Sequence, residues 1–157
     1  MRSPRLEPLT PENVEAACRL RIRPDQESFV EPVAWSVAVA YVHPDLAWPR
    51  LVVDGDDVVG FVMAFLPLHF LDDDPPGLLR SGIWRLNVAA EHQGHGYGTF
   101  AVRAVCDELR RRGQSRATVT WVEGPGGPEG FYLGLGFRRT GERSGDEVVA
   151  ELDLGAG

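Results

Sequence analysis

The sequence contains no lysine: all sixteen of its basic residues are arginines. That absence excludes a P-loop NTPase, which needs a lysine on its phosphates, and any mechanism through a lysine Schiff base. Cysteine is nearly as scarce. Cys18 and Cys106 make neither a disulfide framework nor a metal quartet, and read as two buried thiols in a reducing cytoplasm. Long apolar runs are also missing. The run from Val58 to Leu66 is far too short to span a bilayer, and the N-terminal residues carry no apolar signal segment. Positive charge is in deficit, with a net charge of −7. Nucleic-acid binding is disfavoured, because phosphate contacts need clustered cations. The balance leans toward a cationic ligand, although solubility alone accounts for it equally well.

A hydrophobic content of 43% and a charged content of 25% are those of an ordinary globular chain, and 157 residues suit one domain over 1–157. Residues 5–9 read as a short strand, and a helix follows with Thr10 as N-cap and Pro11 in its first turn, Val14, Ala17 and Cys18 sharing one face. Residues 36–42 are ambiguous: Ser36 suits a helix cap, the valines a strand. Two apolar runs around residues 54–57 predict a hairpin, and residues 72–77 a solvated surface turn. A strand over 83–88 leads into the stretch Glu-His-Gln-Gly-His-Gly-Tyr-Gly-Thr, residues 91–99. Val102, Val105, Cys106 and Leu109 then mark a helix core face, closed by Arg110, Arg111, Arg112 and the left-handed cap Gly113. Strands at 116–122 and near 147–154 flank a glycine- and proline-rich patch and the segment 131–137. Early hairpins and a later helical crossover predict an α/β fold of the α+β kind, with a mixed sheet.

The three alternate glycines, Gly94, Gly96 and Gly98, sit between a strand and a helix start. Backbone N–H groups and a positive dipole end gather there, an arrangement suited to phosphate. The stretch from Gly96 to Ala101 matches a dinucleotide fingerprint, with Glu123 as ribose partner. It arrives too late in the chain for a doubly wound sheet. His92 and His95 alone are too few for a metal site.

Gln93, Gly96 and Gly98 also satisfy Q-x-x-G-x-G, and on that motif the sequence resembles the GNAT superfamily of N-acetyltransferases. The resemblance implies a mixed, largely antiparallel sheet flanked by helices, and acetyl-CoA as co-substrate. The loop Gln93, Gly94, His95, Gly96, Tyr97, Gly98 and Thr99 would wrap its pyrophosphate. Leu86, Asn87 and Val88 would form the strand beside the pantetheine, with a backbone N–H near Val88 polarising the thioester. The segment Phe131–Phe137, Phe-Tyr-Leu-Gly-Leu-Gly-Phe, matches a second family signature, in which Tyr132 is the general acid. Residues 24–30 and the stretch 35–42, which begins with Trp35, resemble the diamine and spermine/spermidine branch. A small amine, with a diamine or polyamine as one form of it, would then meet Glu27, Trp35 and Trp84, carboxylate and aromatic partners for an alkylammonium. A homodimer is left open. The base has no sequence signal; Glu27, Glu91, Glu129 and a water chain are candidates. Pro125 stands where many members carry a pantetheine-contacting asparagine, which favours an alternative: an acyl-CoA-binding sensor or interaction module without turnover.

Overall fold

A computed structural model describes residues 3–155. Seven strands form one sheet: β1 (Arg5–Glu7), β2 (Ala47–Asp54), β3 (Asp57–Leu68), β4 (Arg80–Val88), β5 (Arg116–Trp121), β6 (Arg138–Ser144) and β7 (Glu147–Asp153). Their order across the sheet is β1-β2-β3-β4-β5-β7-β6. Every neighbouring pair is antiparallel except β4 with β5. The mixed sheet and the hairpin at residues 54–57 match the expectation from the sequence. The parallel pair is joined by the one long helix, α3 (Tyr97–Arg111), because parallel strands need a crossover.

Helices α1 (Val14–Arg19) and α2 (Val33–Val42) pack on one face of the sheet, with Ala17 and Val33 against Leu51, Phe61 and Met63. Helix α3 covers the other face, burying Val102, Val105, Cys106 and Leu109 against Val62, Ile83, Val119 and Val148. Burial pushes the Cys106 thiol up to about 11, leaving it protonated and inert. The short helix α4 (Glu129–Gly134) closes the same layer. Its sequence has little helical propensity. Packing holds it instead: Tyr132 lies against Trp121 and Phe137, and Glu129 pairs with Arg139.

Several local expectations are corrected. The ambiguous segment is helical throughout, and Ser36 is buried inside α2 rather than capping it. The Thr10 side chain does not cap α1; the carbonyl of Thr10 accepts from Asn13 and Val14, and its N–H donates to the Asn13 side chain. The first strand ends at Glu7, and the edge strand β6 had no signal of its own, its arginines and glycine concealing it. The turn at 72–77 is not wholly solvated. Asp74 is buried and pairs with Arg80 at 2.5 Å, while Arg80 reaches Glu142 at 2.8 Å, tying β4 to β6.

Strands β4 and β5 meet in register at a single pair, Gly82 opposite Thr118. A Cβ on Gly82 would overlap the Thr118 carbonyl and lie 2.5 Å from its nitrogen. Beyond this point the two strands separate. A bulge in β4 accompanies the separation: Ile83 faces Ala64 and Arg85 faces Met63, which leaves Trp84 as the extra residue. Trp84 and Arg85 are thereby both directed to the α1–α2 face, since Trp84 packs in that layer and Met63 belongs to its core. Ile83, Leu86 and Val88 face α3.

Gly82→Ala forces the strand backbones apart at their one paired position. It should cost at least about 3 kcal/mol in denaturant unfolding, the upper range for overpacking; an unchanged midpoint would show that β4 and β5 do not touch there. The Arg80 guanidinium holds the Asp74 and Glu142 carboxyls below their ordinary values. Depressed carboxyls add stability that is present above their unfolded values and is lost as pH falls through the folded ones. Arg80→Leu should therefore flatten the acid limb of stability against pH, and an unaltered acid limb would contradict the pairing.

Candidate active site

The gap between β4 and β5 opens into a cleft of about 640 Å³ that passes through the sheet. Its α3 half is lined by Ile83, Leu86, Val88, Val119, Trp121 and Tyr132, and its rim by the glycine loop. Gly94 and Gly96 have φ of +78° and +87°, left-handed values that an L side chain rarely adopts, and a Cβ on either would meet open space. Gly96 is the N-cap of α3 and offers no side chain to the first-turn N–H groups, which have no partner within the helix. An open turn at a helix start with unpartnered N–H groups suits a pyrophosphate. Gly98 serves packing instead. Its Cβ would lie 3.3 Å from the Phe131 ring, so the third glycine lets α3 approach α4.

The loop is bolted from below by Gln93. Its Nε2 donates to the Val88 carbonyl at 3.0 Å and to Gln26 Oε1 at 2.6 Å, and Gln26 Nε2 donates back to Gln93 Oε1 at 3.1 Å. The signature glutamine thus ties the loop to the end of β4 and to the segment 24–26. Tyr97 is buried under the loop, and its hydroxyl donates to Asp54 at 2.6 Å.

Tyr132 sits at the floor of the α3 half. It stacks on Trp121 with ring centroids 5.7 Å apart and meets Phe131 and Phe137 edge-on. Burial pushes its phenol well above the ordinary value, so the group holds its proton at all physiological pH. Among the described residues the hydroxyl has no hydrogen-bond partner, and Tyr132 lines the cleft.

The opposite half faces α1 and α2 and is chemically different. Arg85 lines it from the bulge, Thr120 from β5 and Glu147 from the start of β7, with the Thr120 hydroxyl donating to Glu147 at 2.8 Å. The segment before α2 supplies Glu27, Phe29 and Glu31. The Phe29 ring lies over the glycine-rich turn, where a Cβ on Gly127 would come within 3.1 Å of it. Small residues there let Phe29 roof the cleft.

Most of the residues expected at the site converge: Leu86, Val88, Gln93, Gly94, Gly96, Tyr97, Gly98, Thr99, Glu27, Trp84 and Tyr132 all line the cleft. Three do not. Trp35 is 59% exposed on the outer side of α2, because it falls one residue before the buried Ser36. Asn87 faces the α1–α2 layer opposite Phe61, and its Nδ2 donates to the Glu31 carbonyl at 3.0 Å. It positions the neighbouring segment rather than lining the cleft. His95 stands outside the lining, edge-on to Tyr97. Among the described residues no three His, Cys, Asp or Glu side chains gather as a metal site. Arg85, Thr120 and Glu147 carried no sequence signal, since strand separation and bulge position are properties of pairing.

The chain matches the model of the acetyltransferase (GNAT) family over residues 13–137. It is 35% identical over 89 residues to N-acetyltransferase 8F1 of Rattus norvegicus, covering 57% of this chain and 38% of that protein. It is 30% identical over 101 residues to N-acetyltransferase 8B of Mus musculus, covering 64% and 41%. The chain therefore spans about two fifths of the length of these relatives. Among solved structures, an acetyltransferase from Thermus thermophilus superposes with a TM-score of 0.73 at 20% identity, over 96% of this chain and 97% of that one. The PaiA N-acetyltransferase from Thermoplasma acidophilum, solved in complex with coenzyme A, gives 0.67 at 11% identity over 96% and 99%. These likenesses show the fold. With the family model covering most of its length, the chain belongs to the GNAT family of acetyltransferases, whose co-substrate is acetyl-CoA.

Proposed function

We propose that this chain acetylates a small primary amine, taking acetyl-CoA on the α3 side of the cleft and the amine on the α1–α2 side. The observation that carries the reading is the two-faced gap between β4 and β5, with an open, left-handed glycine turn at one rim and a proton-bearing phenol at the floor. Acetyl-CoA supplies the thioester. The N–H groups around Gly96 and the first turn of α3 hold its pyrophosphate, and Leu86 and Val88 flank the arm that leads inward. Tyr132 stays protonated in its aromatic enclosure and delivers that proton from its hydroxyl to the departing sulfur. Burial makes the phenol a weaker acid, and the same burial makes a departing thiolate more basic, which offsets that loss.

On the acceptor side Glu147 is the half-buried carboxylate and Glu27 and Glu31 are exposed rim groups. They support a cationic amine, which gives one proton to water before it attacks; the N–H proton released as the amide forms restores the Tyr132 phenol, so one proton is released overall. A diamine or polyamine draws support from the same three carboxylates, and Arg85 among them works against a second ammonium. The curated relatives are N-acetyltransferases of another group, so the polyamine branch has no support from them. A sensor without turnover rests on Pro125, which lies outside the lining, while α4 still forms from Glu129 onward and keeps Tyr132 in the cleft. That favours turnover.

Tyr132→Phe keeps the stacked ring and removes the proton, so kcat should fall roughly 10²–10⁴-fold while acetyl-CoA affinity holds. Steady-state thiol release together with calorimetry reads both, and full activity in the variant would make Tyr132 a core aromatic only. Gly96→Val places a branched side chain in the open turn and strains its backbone. Acetyl-CoA should bind at least about tenfold more weakly, equal to ~1.4 kcal/mol, with cooperative unfolding retained. Unaltered affinity would remove the phosphate role.

A further inference from the structure

We propose that Arg85 binds a carboxylate carried by the acceptor, so that the acceptor is an amino-acid-type amine, with amino and carboxylate groups on one small skeleton. This rests on the acetyl-transfer reading above and narrows its substrate.

Arg85 is the only arginine among the described residues lining the cleft. A guanidinium carries five N–H donors. One of them is used in a hydrogen bond from Nη1 to the adjacent Trp84 carbonyl at 3.0 Å. The Nε is fully enclosed with no partner. The guanidinium also stacks loosely on the Trp84 ring at 5.7 Å. Glu31 and Glu147 lie close enough for their charges to favour the cation, yet neither forms an ion pair with it. Arg80 is different. That arginine, also drawn into the protein, is matched by four hydrogen bonds to Asp74 and Glu142. Withdrawing a guanidinium from water without such partners is costly, and burial lowers the pKa of Arg85 accordingly. A planar carboxylate accepts from two guanidinium donors at once and restores what burial removes.

The face decides whose anion it is. Arg85 points with Met63 to the α1–α2 layer, whereas the glycine turn for the pyrophosphate opens at the start of α3. Thr120 and Glu147 share the Arg85 face, so a cationic and an anionic group stand together there. An ammonium set toward Glu147 and a carboxylate set toward Arg85 fit this pair. A diamine would place a second cation against Arg85.

The test measures kcat/KM by thiol release at saturating acetyl-CoA for a panel of α- and ω-amino acids, each matched with its carboxamide, together with 1,4-diaminobutane. The wild type should favour at least one amino acid over its carboxamide by about tenfold or more, ~1.4 kcal/mol. Arg85→Gln should cut the kcat/KM of that amino acid about tenfold more than that of its carboxamide, with the acetyl-CoA affinity within about twofold. Arg85→Lys should retain part of the preference, because the charge remains and the fork is lost. A diamine or carboxamide used as well as every amino acid, or an equal loss for both members of a pair in Arg85→Gln, overturns the assignment. If no amine is turned over, acetyl transfer itself fails. Calorimetry of N-acetyl amino acids against N-acetyl carboxamides, on the CoA-bound protein, then reads Arg85 alone: tighter binding of the acids, abolished in Arg85→Gln, supports it, and equal binding overturns it.

Discussion

The structure turns on one close approach, Gly82 against the Thr118 backbone. Two parallel strands in a closed sheet would leave no room between them. Here they are pinned at one end, where the absence of a side chain lets the backbones touch, and diverge at the other. The divergence converts a sheet, normally a barrier between two layers, into a passage. Each later feature uses that passage. The β4 bulge turns Trp84 and Arg85 to one side, the crossover helix starts at its rim, and α4 sets Tyr132 at its floor.

The two openings are chemically unlike because the layers that border them are unlike. On the α3 side the lining is apolar apart from the Tyr132 phenol and the Trp121 indole N–H, and the anion-binding capacity comes from backbone at the helix start. On the α1–α2 side, charge of both signs stands in a half-buried setting. Glycine serves two purposes around the cleft. Gly96 takes a left-handed turn, Gly98 admits the Phe131 ring, and Gly127 admits Phe29. The three alternate glycines of the loop therefore meet two kinds of need: left-handed backbone at Gly94 and Gly96, and close packing at Gly98.

Polar side chains that would serve ligands in an open loop serve the scaffold here. Gln93 and Gln26 lock their amides together, Asn87 holds the Glu31 carbonyl, and Tyr97 reaches Asp54. These bonds fix the loop and the acceptor segment relative to β4. Half-buried amide pairs of this kind hold a geometry because leaving a member unsatisfied is costly. The exposed outer face of α2, carrying Trp35 and Tyr41, takes no part in this arrangement.

The glycine loop, the amphipathic face of α3 and the 54–57 hairpin were legible in the sequence, since left-handed turns, helical periodicity and turn residues are local constraints that a short stretch carries by itself. From the loop and the Phe-Tyr-Leu-Gly-Leu-Gly-Phe signature, the family and a site at the end of β4 could be read. The sides of β4 could not. Which way Asn87 and Arg85 point depends on a bulge against β3, and one extra residue reverses the alternation beyond it. Nor could the partner of Asp74, an acid in an apparently solvated run that pairs with an arginine six residues later, which in turn reaches Glu142 on the edge strand β6. Local chemistry specified where the chain turns and where it coils. Only the pairing of distant strands determined which side chains meet in the cleft, because that is fixed by backbone hydrogen bonds between segments with no knowledge of one another in sequence.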